Sequence, residues 1–154
     1  MQRQPGSTFK PVSVFAPAIE MGYSPASVVN DVKTTFGGDY TPTNYDGKYR
    51  GVISMRDTAI ESRNIPSVKF MQKIGVDYSM HMIEKMGISM ANDQNSGLSL
   101  ALGGMTYGVS PLQMAAAYAV FANEGNYNEP YAVIKIENSK GEIIYQHKDN
   151  SQTV

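Results

Sequence analysis

Near the start of the chain, in the stretch QPGSTFKP, a serine precedes a lysine by three positions, Ser7 and Lys10. A serine hydroxyl is a poor nucleophile until a neighbouring base takes its proton, and a lysine can be that base when burial or nearby cations hold its amine neutral. On a helix, positions three apart share a face, which sets Lys10 one turn above Ser7 with its amine within reach of the hydroxyl. The free N–H groups and positive dipole end of a helix start would favour negative charge developing beside Ser7 in an acyl-transfer transition state. The same pattern also describes a helix cap followed by a surface lysine, and both residue types are common enough to fall so by chance. Spacing alone leaves the two readings open.

Other chemistries find little support. Cysteine is absent, which removes thiolate nucleophiles, disulfides and cysteine-based metal sites. The two histidines, His81 and His147, lie far apart in unlike settings and read as surface or boundary side chains, so no metal is expected. The Gly103-Gly104 pair lacks the fingerprint of a phosphate cradle, and no cofactor is expected. With 13 basic and 14 acidic residues the net charge is −1, without long runs, which gives no footprint for nucleic acid or an anionic membrane. No apolar run approaches the ~20 residues of a membrane span, so the chain as it stands is expected to be soluble. Met1 lies directly before a dense motif, as expected of a shortened chain.

The elements that must position Ser7 and Lys10 follow from apolar period, caps and stops. At 154 residues and 42% apolar composition, one domain with a core is expected. STFKPVSVFAPAIEMG reads as a helix closing at Gly22, with Val12, Phe15, Ala16 and Ile19 at helical spacing; Pro17 sits awkwardly in its interior. Residues 23–51, rich in Gly, Pro, Asn, Thr and Tyr, read as a long surface loop with short extended pieces. SMRDTAIESRN opens on a capping-box pattern, Ser54 accepting from the Asp57 N–H while Asp57 reaches back, and predicts a short helix running into Ser62. Two further helices end at Gly75 and Gly87, with Met71, Met80, Met82 and Met86 as core filler. SGLSLALGGMTYG reads as a glycine-rich loop with a short extended or turn segment. SPLQMAAAYAVFANEG carries Ser110 as N-cap, Pro111 at the first position, Gln113 completing a capping box and Gly125 as stop. Its stripe of Leu112, Ala115, Ala116, Ala119 and Phe121 predicts a buried core helix. YAVIKIENSKGEIIYQHK predicts a hairpin about a turn at 138–141, and the polar residues after Lys148 are expected to fray.

The flanks of Ser7 and Lys10 narrow the choice. RQPGSTFKP resembles the active-site segment of penicillin-binding proteins, in particular their class A, bifunctional transpeptidases, whose first motif is serine, two residues and lysine. The second motif, serine, one residue and asparagine, is matched by Ser62-Arg63-Asn64 within GVISMRDTAIESRNIPSVKFMQKIG. YTPTNYDGKYRG before it and LALGGMTYGVSPLQMAAAYAVFANEG after it are similar to the same class. The resemblance runs from residue 3 to about 148. A third motif, lysine, threonine or serine, then glycine, is not matched: Lys33-Thr34-Thr35 lacks the glycine and precedes the second motif, and Lys140-Gly141 reads as the hairpin turn.

The resemblance implies an α+β, mainly helical chain: the central helical part of the penicillin-binding and serine β-lactamase-like transpeptidase fold, with a peripheral hairpin and most of the family's sheet missing. On this reading residues 1–154 are a partial transpeptidase domain, with a helical region at 1–129 holding both motifs, the hairpin at 130–147 and a frayed tail at 148–154. It implies that Ser7 is the acylated nucleophile and Lys10 its base, that Ser62 relays protons to the leaving amine, and that Asn64 orients Lys10 and bonds the substrate amide. Read plainly, Ser62 is instead an end-of-helix serine and Asn64 the cap of the next helix, a job Asn64 could hold as well. The implied activity of the parent is D-Ala-D-Ala transpeptidation of peptidoglycan stem peptides, with β-lactams as acylating mimics. The implied place is the extracytoplasmic face of a bacterial membrane, to which the parent is anchored. Helices deprived of a sheet are expected to expose apolar faces and self-associate. The alternatives are a catalytically silent folded module that binds or supports, and a β-lactam sensor or β-lactamase.

Overall fold

Two prolines decide how the chain leaves Ser7. Neither Pro11 nor Pro17 has an N–H, so a regular α-helix through both would strand the carbonyls they should serve. The computed structural model, which describes residues 1–93 and 96–154, keeps this stretch right-handed but changes its pitch twice. A 3₁₀ turn over Gly6–Phe9 is followed by a wide π turn over Pro11–Phe15 and an α-helix, α1, over Ala16–Glu20. In the wide turn the Ala16 N–H reaches back five residues to Pro11 O. Ser13 O, which Pro17 cannot serve, accepts instead from the Ser79 hydroxyl at 2.6 Å, while the Ser13 hydroxyl donates to Phe9 O at 3.0 Å. The single regular helix expected over residues 7–22 is therefore a rod of three pitches. The wide turn also rotates its inner face: Val12 is wholly buried as expected, but Ile19 is 52% exposed, and Phe9, Val14 and Ala18 complete the buried side.

Residues 23–51 are more ordered than a loop. Strand β1, Val28–Asp31, pairs antiparallel with β2, Gly51–Ser54, in the register Val28↔Ser54 to Asp31↔Gly51. Val29 and Asp31 point inward and Val28 and Asn30 outward, so one of the two inner positions is a carboxylate. That disguised the apolar alternation of a half-buried strand.

Helix α2 spans Met55–Ile60, with the Asp57 N–H donating to Ser54 Oγ at 3.1 Å. The reverse arm differs from the expected box, because the Ser54 hydroxyl donates to the Asp57 carboxylate at 2.6 Å. After a sharp turn come α3, Asn64–Ile74, and α4, Val76–Lys85, ended by Gly75 and by Gly87 just past the terminal turn. Both pack on the rod, and Ile65, Val68, Phe70, Met71, Ile74, Ile83 and Met86 join it in one core. The four methionines taken as core filler are all buried. The 97–102 segment is neither loop nor extended: Gly97–Leu102 winds as 3₁₀ turns that bury Leu100 and Ala101.

Helix α5, Pro111–Ala122, has both arms of its capping box. It is not the buried core helix expected. Only Ala116, Ala117 and Val120 are buried, while Leu112 is 63% and Phe121 47% exposed. Apolar residues occur all round this helix, so the pattern could not say which side would be covered. Strand β3, Asn126–Asn128, follows; β4, Lys135–Glu137, and β5, Ile143–Gln146, form the expected hairpin, exposed on both faces. The tail does not simply fray: β6, Ser151–Thr153, pairs with β3, because the return of the hairpin brings it beside that short edge. The chain is thus, among the described residues, α+β and mainly helical, with three two-stranded sheets, of which β1–β2 adds Val29 and Ile53 to the core. Among the described residues no helix is long and apolar enough to cross a membrane.

Candidate active site

Lys10 closes the first 3₁₀ turn, its backbone N–H donating to Ser7 O. Such a turn holds three residues, so positions three apart lie one above the other. Lys10 is 1% exposed and Ser7 lies at the surface. The Lys10 amine donates to Ser62 O at 2.6 Å, to Asn64 Oδ1 at 2.8 Å and to Ser62 Oγ at 3.1 Å. All three ammonium protons are placed on neutral oxygens, and among the described residues no carboxylate pairs with the amine. Burial therefore dominates and lowers the Lys10 pKa to about 8. At pH 7.5 about a quarter of the amine is then neutral, against roughly a thousandth for an ordinary lysine. The Ser7 hydroxyl makes no hydrogen bond among the described residues, so it is free to meet an incoming group. Lys10, Ser62 and Asn64 are thus directly bonded, while Ser7 is joined to them through the turn it shares with Lys10.

The motif 62–64 is delivered by the turn between α2 and α3. The N–H groups of Ser62 and Arg63 bond Ala59 O and Thr58 O at 3.2 and 3.0 Å, which holds Ser62 in the left-handed region at φ 50°. Glycine usually takes this position, and a serine there costs roughly 1 kcal/mol. The reversal turns the Ser62 carbonyl towards Lys10. Asn64 is the first residue of α3 and does not cap it. Its own N–H donates to the side-chain Oδ1 of Asn44 at 2.9 Å, shared with the Ile65 N–H at 3.3 Å. The side chain of Asn64 is spent on Lys10 and on Thr43 O, reached by Nδ2 at 2.7 Å.

Beneath this turn lies a buried polar network that sequence reasoning missed. Arg63, 1% exposed, donates to Glu61 at 2.9 Å, to Asp46 at 2.8 Å and to Lys48 O at 3.1 Å. Asp31, wholly buried, accepts from Asn44 Nδ2 at 2.8 and 3.1 Å and from the Arg50 N–H at 3.1 Å. Hydrogen bonds from Arg50 and then Arg63 hold the Glu61 carboxyl below the usual range. No buried side-chain nitrogen or oxygen is left unpaired among the described residues. The available signal was Asn44 and Asp46, two positions apart in YTPTNYDGKYRG just upstream of the motif.

The Ser7 turn is braced from behind by the 103–109 segment. Arg3 and Val109 exchange backbone hydrogen bonds at 3.0 and 2.8 Å. Gly103 comes so close that a Cβ there would lie 2.3 Å from Gly6 O, and one at Gly108 would meet the Arg3 carbonyl at 2.3 Å. Tyr118 of α5 donates its hydroxyl to Thr8 O at 2.7 Å. His147 lies apart, stacked on Tyr131 with ring centroids 3.5 Å apart.

Comparison with known proteins agrees in one direction. The family model described as the penicillin-binding protein transpeptidase domain matches residues 1–154. The chain is 42% identical to penicillin-binding protein 1F of Bacillus subtilis over 153 residues, 99% of this chain and 21% of that protein. The crystal structure of penicillin-binding protein 1A from Haemophilus influenzae matches with a TM-score of 0.83 at 30% identity, covering 97% of this chain and 22% of that one. Penicillin-binding protein A of M. tuberculosis, solved as an imipenem acyl-enzyme, shares the fold with a TM-score of 0.79 at 24% identity, covering 98% of this chain and 39% of that one. The chain spans about a fifth of the length of the curated relatives it matches.

Proposed function

The chain belongs to the transpeptidase domain family of penicillin-binding proteins, and from that premise we propose that it carries the nucleophile and proton-handling half of a serine D-Ala-D-Ala transpeptidase. The Ser7 oxygen attacks the penultimate D-alanine carbonyl of a peptidoglycan stem peptide. The neutral amine of Lys10 takes the hydroxyl proton as the O–C bond forms. Ser62, hydrogen-bonded to Lys10, passes a proton to the leaving nitrogen as the C–N bond breaks and D-alanine departs. An amine from a neighbouring strand then attacks the acyl-enzyme and restores the serine. Asn64 keeps Lys10 in place through Oδ1 and bonds the substrate amide. No step of this sequence calls for a metal. The parent protein acts on the extracytoplasmic face of a bacterial membrane, where peptidoglycan is built.

The observation that carries this reading is a buried lysine held between Ser62 and Asn64, with a pKa near 8, on the same turn as a free serine hydroxyl. A β-lactam is the natural probe, because its strained amide mimics the scissile bond. A fluorescent penicillin is expected to label the full-length protein once, with the adduct mapped to Ser7 by mass spectrometry and abolished by Ser7→Ala. No adduct would support the silent, supporting role instead, and continued turnover after the first equivalent would support a hydrolase.

A further inference from the structure

Asn64 can serve Lys10 only if its amide is turned the right way, and the structure contains the device that turns it. The Thr43 carbonyl can only accept, so Asn64 Nδ2 must face it, which sends Oδ1 to the Lys10 amine. The next residue, Asn44, holds the main chain of the same asparagine through Oδ1. One peptide unit, 43–44, therefore grips Asn64 at its backbone and at its side chain.

Asn44 is itself fixed. It is 3% exposed, and Nδ2 donates to both Asp31 oxygens and to Lys48 O at 2.8 Å. Only a primary amide offers an acceptor for two N–H groups and a donor pair for a carboxylate and a carbonyl on the same short stem. An aspartate could still cap α3 but would set a second carboxylate against buried Asp31. Capping alone does not need this residue, because a serine or aspartate at the N-cap position, held by Arg63, would serve.

We infer that Asn44 is a positioning residue for the proposed reaction, anchored on Asp31 and acting through Asn64 to set the place of the Lys10 amine. This rests on the function proposed above. Two readouts on the full-length protein separate the two ideas: the second-order rate of β-lactam acylation per folded molecule, and the titration midpoint of Lys10, read by competitive trace acetylation and peptide mass spectrometry. The second needs no activity.

In Asn44→Ala the acylation rate is expected to fall about 100-fold, the cost of a displaced catalytic group, and a variant that folds yet stays within about threefold of the parent overturns the inference. The Lys10 midpoint is expected to drop by about half a unit as an acceptor of the ammonium loosens, and an unchanged midpoint also counts against it. Asn44→Asp keeps both acceptors for α3 but sets a carboxylate against Asp31, so a residue that merely caps predicts lower stability with the acylation rate per folded molecule held within about threefold. The positioning role predicts a loss of about 100-fold, restored to within about tenfold by adding Asp31→Asn, which returns a donor to the pair. Should the parent take no β-lactam, the function fails, while the Lys10 midpoint still decides whether Asn44 places the amine.

Discussion

A lysine buried among neutral acceptors is a costly residue, and the cost sets its pH behaviour. The folded pKa of Lys10, about 8, lies below the ordinary 10.5 of the unfolded chain. Between these values the unfolded chain binds more protons, so stability rises with pH across that window, and below about 8 the full burial cost is felt. In urea titrations at pH 7 and pH 10 the parent should gain on a Lys10→Met variant, by a few kcal/mol at most on the order of 1.4 kcal/mol per unit. Acylation of Ser7 should climb with pH to a plateau with its midpoint near 8. Lys10→Arg should lose about 10³-fold in rate at every pH, since a guanidinium cannot give up its proton. Ser62 offers a second test: Ser62→Gly removes the left-handed strain but also one acceptor of the buried Lys10 amine, so stability should change by less than about 1 kcal/mol while acylation slows through the lost hydroxyl. Of these residues, Ser7 and Lys10 stood out by spacing as neighbours on a turn, but spacing did not separate a nucleophile and base from a helix cap, and the resemblance of their flanks made the choice. Ser62 and Asn64 were legible only through resemblance, since 52 and 54 positions separate them from Lys10. Asn44 and Arg63 were not read at all, because a buried polar network has no period.

At the scale of elements, the rod depends on a bond supplied from outside it. Ser79→Ala would leave Ser13 O without the donor that Pro17 denies it, at a cost of about 1–3 kcal/mol, measurable as a lower unfolding midpoint. Gly103→Ala joins an unfavourable φ of 75° to a Cβ placed 2.3 Å from Gly6 O. The Ser7 turn must shift, so acylation should fall by about 100-fold even where the variant remains folded by circular dichroism. Caps and stops such as Ser110, Gly75 and Gly87 were readable because they act within one helical turn. The β1–β2 ribbon hid behind the buried Asp31, β6 behind a polar tail that only the hairpin's return makes useful, and the π turn behind a proline whose missing donor is replaced from another helix.

Across the whole molecule α5 and the hairpin carry the barest apolar side chains. Leu112 and Phe121 are exposed on opposite flanks of the buried stripe of α5, and Ile134, Ile136, Ile143 and Ile144 are exposed on the hairpin. Replacing Leu112 and Phe121 by lysine should lower self-association in sedimentation velocity, with unfolding free energy changed by no more than about 0.5 kcal/mol, as for exposed sites. An unaltered sedimentation profile would count against self-association through these side chains. The bridge from Arg3 to Val109 has a further consequence, in the order of manufacture. A ribosome releases Ser7 and Lys10 first, yet the strands of chain that brace them emerge about a hundred residues later, on the order of ten seconds at typical elongation speeds. Ser62 and Asn64, which hold the Lys10 amine, emerge midway through that interval, so the lysine can meet its partners before the segment that braces the Ser7 turn has been made.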